Sequence, residues 1–502
     1  MAGSRPPRLL LLGLDGATLD LLLPWAKAGE LPNLAALIER GACGTLRSTI
    51  PPITPCAWTT MMTGANPGRH GIYDFVLPKA GSYGRRMASA RDRQMHPVWL
   101  LANDAGLTAA VLNVPTTYPP DSLNGYMLAG EMGAPSFNPS ATTPTALYED
   151  LKAAVGGFPM QTITRTTRGY DLAALDAQVA NRQAAFTWVL DNRPADLFIA
   201  VVNYTDHLEH FFLQDRALDS DGRHVEDMVL YGYQAADRLL GSLLERCDAS
   251  TNVLVVSDHG AGPLRTYVNI DRLLVEAGLL AFRGGSGVQR GGFLRRVAQA
   301  TPDWIRDALP KQWRRGALEK VRQEYEGEID WRRTRVFRRG TGFGLELNVQ
   351  GRLPEGTIAA ADYEQAREEI IATLRAAWAA VPELGGLEVY RREELYSGPM
   401  SDLAPDIILA PDEFAVEPTA APSPEAGVAV TLEEMHHYGA AKRFKIGSHR
   451  LNGVLLAAGP DIKTGATPEG AALADVTPTI LHLLGIKAPE GLDGRVLTEI
   501  LA

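Results

Sequence analysis

The chain has 502 residues, 45% of them hydrophobic and 22% charged, which is the make-up of a folded globular protein and excludes disordered and collagen-like classes. A formal net charge of −10 argues against a general nucleic-acid coat, because the polyanion would be repelled. Cys43, Cys56 and Cys247 are the three cysteines, and they are too few and too scattered for a disulfide framework or a thiolate zinc site, which fits a reducing compartment.

The apolar run Leu9–Leu14 follows Arg5 and Arg8. It is shorter than the ~7–15 apolar residues of a secretory leader, so it reads as a first buried strand. No run approaches the ~18 apolar residues of a membrane span. The expected location on these grounds is cytoplasmic. Next come a helix at Leu34–Arg40, a strand at Ala109–Val114, the end of a helix at Ala184–Leu190 and a strand at Asp196–Asn203. A long helix at Met228–Leu244, strands at Asn252–Ser257 and Val454–Ala457, and a helix at Pro478–Leu484 stopped by Gly485 complete the series. This alternation predicts an α/β fold with a mostly parallel central sheet covered by helices on both faces. In such sheets the reactive groups gather beyond the carboxyl ends of the strands.

Composition shifts in the middle of the chain. From Arg283 to Arg339 there are 15 Lys/Arg against 7 Asp/Glu, entered through a glycine-rich stretch. Residues 275–345 therefore read as a basic helical cap inserted into a core made of 1–274 and 346–502. The plain reading is a solvated helical excursion. The functional one is a lid that attracts anionic substrates or makes peripheral contact with lipid head groups.

Five segments carry candidate chemistry. Asp15 follows the first strand and precedes Gly16, where a carboxylate is free to bind a cation, although Asp-Gly is also a common turn. Thr54 closes a prolyl loop and reads as the N-cap of a helix beginning at Pro55. The same geometry suits a nucleophile, because a helix N-terminus favours a phosphoryl group. Asp206 and His210 are four apart and share a helical face, whereas His207 and Glu209 point elsewhere at that spacing. Asp258 and His259 end a five-residue apolar strand. His449 sits in a glycine-flanked loop before another strand. Together these residues fit two adjacent divalent metals of the kind that clamp both oxygens in phosphoryl transfer, with zinc favoured and manganese as the alternative.

The segments LGLDG, the Thr54 loop with PGRHGI, TDHLEHFF, VVSDHG, SHRLNGVLLAAGP and DVTPTILHLLGI, in this order, resemble the alkaline phosphatase superfamily. Within it the chain is similar to the type I phosphodiesterase/nucleotide pyrophosphatase branch. The Thr54 loop reads Thr-Pro-Cys-Ala-Trp, which looks closer to prokaryotic members. The resemblance implies that Asp15, Thr54, Asp258 and His259 hold one metal and that Asp206, His210 and His449 hold the other. It implies Thr54 as the attacking group, a phosphothreonine intermediate, and a small phosphorylated substrate such as a nucleotide, a phosphosugar or a lipid head group. His70 is expected to support its loop.

One departure concerns Phe75, which stands where nucleotide-cleaving relatives carry an asparagine; a phenyl ring cannot donate that hydrogen bond. Cys56 lacks the sulfatase context. A phosphomonoesterase, a phosphonoacetate-hydrolase-like enzyme and a non-catalytic metal-binding scaffold remain as alternatives.

Overall fold

All six residues of Leu9–Leu14, strand β1, are buried. Leu9 and Leu11 join one apolar cluster, and Leu10, Leu12 and Leu14 join another. Successive strand side chains point to opposite faces, so a strand apolar on both sides needs cover on both. That cover is present in the computed structural model, which describes residues 5–130, 136–160, 172–213, 228–283, 327–340, 342–419, 426–435 and 445–502.

Strands β2 (Ala42–Arg47), β3 (Ala109–Leu112), β4 (Gly125–Leu128), β5 (Thr142–Thr143), β6 (Leu197–Val202), β7 (Asn252–Val256) and β8 (Asn452–Ala458) complete an eight-stranded sheet with β1. Its order is β2-β8-β7-β1-β6-β3-β4-β5. The run β7-β1-β6-β3-β4 is parallel. β8 runs against β7 and β2, and β5 runs against β4.

Helix α1 (Thr54–Thr63) covers one face, together with the C-terminal helix Val476–Leu483. Helices α2 (Leu172–Asn192), α3 (Tyr204–Phe212) and α4 (Met228–Leu244) cover the other. The expected α/β sandwich is the observed one. Strand ends fall a residue or two short of the apolar runs, because side chains stay buried after the ladder stops. Ser257, for example, lies beyond β7 yet still bonds Val454 through its backbone N–H at 2.9 Å.

A four-stranded antiparallel sheet of Val336–Arg338, Gly344–Leu347, Ile407–Pro411 and Leu387–Arg391 has its own core, backed by helix α5 (Tyr363–Ala379). Most of the expected basic cap, residues 284–326, lies outside the described residues.

The topology gathers the ends that matter. β1, β6 and β7 are parallel neighbours, so Asp15, the Asn203–Asp206 turn and Asp258–His259 leave the sheet at one edge. β8 is antiparallel and enters at that same edge, preceded by the short strand Gly447–Arg450 that carries His449. Arg47 of β2 faces Asn452, so the loop to Thr54 emerges there too. Five distant loops share one sheet edge, as this architecture favours.

Gly13 shows how little slack the edge has. A Cβ at this position would run into the Trp58 ring and Val201. Gly13→Ala is expected to cost about 1–3 kcal/mol by overpacking, read as a lowered thermal midpoint by calorimetry; an unchanged midpoint would contradict the close packing of β1 on α1.

Candidate metal centre

Three histidines converge on this edge, and the backbone decides how each ring presents itself. Nδ1 lies 2.9 Å from the Gly447 carbonyl in His210, 2.6 Å from the Pro52 carbonyl in His449 and 3.1 Å from the Gly260 carbonyl in His259. A carbonyl only accepts, so each Nδ1 carries the hydrogen and donates it. In a neutral ring Nε2 is then a bare lone pair. Burial holds His210 neutral, pushing its pKa down to about 3. Burial, then the neighbouring His449, pushes His259 down as well.

The lone pairs face other electron-rich atoms. Nε2 of His210 and Nε2 of His449 stand 3.0 Å apart, and each is 3.3 Å from Oδ1 of Asp206. Nε2 of His259 is 3.3 Å from Oδ2 of Asp258, 3.6 Å from Oδ1 of Asp15 and 3.4 Å from the Thr54 hydroxyl. Ligands set ~2.0–2.1 Å from a tetrahedral zinc lie ~3.3 Å from one another. Oδ1 of Asp15 and Oδ2 of Asp258 are buried and have no hydrogen-bond partner. Such atoms packed together repel unless a cation sits among them. The donor set thus fits two divalent cations. Asp206, His259 and His449 form one group able to hold an ion, and Asp15, Asp258 and His259 form another. His259 lies at their junction, its ring stacked 3.7 Å from that of His449.

The remaining carboxylate atoms are tied down. Trp58 Nε1 donates to Oδ2 of Asp15 at 3.2 Å, and the backbone N–H of Gly16 donates to Oδ1 of Asp258 at 3.3 Å. Burial, then Asp258 and Asp206, raise the Asp15 pKa; burial, then Asp206, raise that of Asp258 to about 7. Burial raises Asp206 as well, but positive charge on His210 or His449 would outweigh it and hold that carboxyl below the usual range.

All seven predicted residues meet at this edge, with two differences of detail. Thr54 is the first residue of α1 rather than its cap, and Ile53 takes the cap position without a side-chain bond. Proline is tolerated anywhere in the first turn, so Pro55 allows the helix to begin one residue earlier. The buried Thr54 hydroxyl is therefore not spent on capping. Glu209 does not point away. It is buried, accepts from the Tyr233 hydroxyl at 2.7 Å through Oε1, and leaves Oε2 without a hydrogen-bond partner. Helix α4 covers α3, so more than one stripe of α3 is interior.

Trp58 was also missed by spacing arguments, although it lies four residues after Thr54 and so on the same helical face. His70 is enclosed in its own loop, with Nε2 2.9 Å from the Thr60 hydroxyl and Nδ1 accepting from Ile72 N–H at 3.2 Å. Several of the arginines that follow residue 330 are paired with carboxylates, as in Arg339–Glu346 and Arg352–Asp406.

Metal affinity should follow pH through Asp258. Its raised pKa of about 7 means that below this pH a cation must displace a proton, whereas His210 is already neutral. Affinity is therefore expected to fall about tenfold per pH unit below 7 for each proton displaced, and to level off above it. The gap in thermal midpoint between metal-loaded and chelated protein should widen from pH 5.5 to 7.5; a gap independent of pH would rule this out.

The sequence model of the type I phosphodiesterase/nucleotide pyrophosphatase family matches residues 9–438. No curated protein matches the chain. Among solved structures, murine ectonucleotide pyrophosphatase/phosphodiesterase 5 is similar at 14% identity and a TM-score of 0.53, with 99% of this chain and 100% of that one covered. An inactive murine variant, a threonine changed to alanine, in complex with AMP matches at 13% and 0.53, over 99% of this chain and 100% of that one. The human enzyme matches at 14% and 0.52, with the same coverage. At these identities the likeness is one of fold. These structures are mammalian, and they are named as ecto-enzymes. The cytoplasmic location expected from the short apolar run is accordingly corrected: that run is the inner strand β1, which bears on the fold and not on the compartment. No described helix is long and apolar enough to cross a membrane. With the family match spanning most of its length and two metal-holding groups at one sheet edge, the chain belongs to the type I phosphodiesterase/nucleotide pyrophosphatase family and is a metal-dependent hydrolase.

Proposed function

We propose that the protein is a two-zinc phosphodiesterase that works through a phosphothreonine on Thr54 and acts on a small phosphorylated substrate. The observation that carries this reading is the Thr54 hydroxyl, buried and 3.4 Å from Nε2 of His259, beside a set of lone pairs that only cations can reconcile. Asp15, Thr54, Asp258 and His259 are assigned to one metal, and Asp206, His210 and His449 to the other. Mixed nitrogen and oxygen donors favour zinc, with manganese the competitor. The loop sequence Thr-Pro-Cys-Ala-Trp supports a place among the prokaryotic members. An inactive relative that has lost a threonine and binds AMP supports both the nucleophile and the phosphate site.

When bound, the metals supply charge compensation and make the hydroxyl more acidic. The protein's own atoms do the rest. Thr54 Oγ1 attacks phosphorus, the bond to the leaving alcohol breaks, and the hydroxyl proton departs with the alcohol. Water then adds to the phosphothreonine, releasing the phosphate product and restoring the hydroxyl. The first-turn position of Thr54 points unpaired backbone N–H groups toward the phosphoryl oxygens. Trp58 and Gly16 fix the carboxylates, and the three carbonyls fix the rings, so little reorganisation is left for the reaction.

Thr54→Ala is expected to lower turnover of bis-p-nitrophenyl phosphate at least about a thousandfold while two metals per chain remain by elemental analysis. Thr54→Ser should retain most activity. Faster cleavage of p-nitrophenyl phosphate than of the diester would favour a phosphomonoesterase, and an absence of metal-dependent turnover on both would favour a scaffold. His449→Ala should leave one metal per chain; two metals retained would contradict the ligand assignment.

A further inference from the structure

Beside the metal centre lies a cavity of about 210 Å³ walled by Phe75, Phe343 and Phe414 with Ile53, Pro418 and His449 among its lining. It shares residues with the centre. Ile53 precedes Thr54, and the Pro52 carbonyl that also borders the cavity holds the His449 ring at 2.6 Å. A phosphoryl group between Thr54 and His449 would therefore present one of its substituents to the mouth of this space.

The walls define what that substituent is. Phe343 and Phe414 meet edge to face, 5.3 Å between centroids. Glu413 and Phe414 both have left-handed backbones, φ 52° and 53°, a conformation that costs energy for bulky residues. The polar groups that also line the cavity already satisfy each other. Lys445 Nζ donates to Oε1 of Glu417 at 3.0 Å, and the Ser448 hydroxyl donates to Oε2 of the same residue at 3.2 Å. A charged or strongly hydrogen-bonding group would have to break these bonds. Size narrows the choice further. An apolar cavity of ~150 Å³ admits benzene, while sites for larger ligands run to ~300–1,000 Å³.

We propose that this cavity is the substituent subsite of the enzyme, that it takes a compact, uncharged single-ring aryl group on the phosphoester, and that Phe75 and Phe343 set this preference. The inference rests on the phosphoester-hydrolase reading and deepens it. The half-buried rings of Phe75 and Phe343 have apolar surface left to cover, and a flat ring covers it at no polar cost.

The test is calorimetric binding to the metal-loaded protein of phenylphosphonate and methylphosphonate, which share one head group. Phenylphosphonate is expected to bind at least about tenfold more tightly. In Phe75→Ala and in Phe343→Ala the ratio should fall below about threefold, with methylphosphonate affinity held within about twofold. Equal affinities in the unaltered protein would overturn the subsite without recourse to any variant. Adenosine 5′-monophosphate binding more tightly than phenylphosphonate would overturn its size limit. If the p-nitrophenyl esters are turned over while the two phosphonates bind alike, only the subsite fails. If neither ester is cleaved and neither phosphonate binds, the hydrolase reading fails with it.

Discussion

The structure turns on a repulsion. Three imidazole lone pairs and three carboxylates are brought together at one buried sheet edge, with little of the protein's own positive charge to balance them. The ring hydrogens that could relieve the crowding are engaged elsewhere. The carbonyls of Gly447, Pro52 and Gly260 hold the ring hydrogens on the far side of each histidine. A folded chain keeps such an arrangement only if something else supplies the missing charge. Metal dependence follows from this packing directly, before any chemistry is considered.

The fold makes the repulsion affordable by moving the cost to stiff elements. β7, β1 and β6 are parallel neighbours buried on both faces, and Asp15, Asp258 and the α3 turn leave directly from their ends. The residues at risk of moving apart are thus anchored on the best-packed part of the molecule. The loops around Thr54 and His449 are tied to those strands by β2 and β8 at the same edge. Buried donors such as Trp58 then fix the carboxylate that a strand end alone would leave free to rotate.

Much of this was legible in the sequence, and the reasons are particular. Leu9–Leu14 and Leu197–Val202 are continuous apolar runs, which only a strand covered on both faces explains. Polar residues placed directly after such runs, as Asp15 and Asp258 are, had to sit at a strand end. The i,i+4 spacing of Asp206 and His210 gave their shared face.

Less was legible where tertiary packing decides. Glu209 is interior because α4 lies over α3, and no periodicity within α3 announces that. The helix start at Thr54 depends on a proline rule that permits two registers. The cavity beside His449 is built from residues of five separate segments, and its character came only from their meeting. The identity of the metal, the substrate and the compartment have no local residue pattern at all.

One bond links more than it first suggests. The ring of His449 leans on the carbonyl of Pro52, two residues before Thr54, across a sequence gap of 397 positions. The tail segment thus acts as a buttress for the Thr54 loop as well as a donor to the centre. The family match ends at residue 438, short of this buttress. A fragment cut at that boundary would look complete by homology, yet it would lack both a ring of the centre and the prop that keeps the Thr54 turn in register.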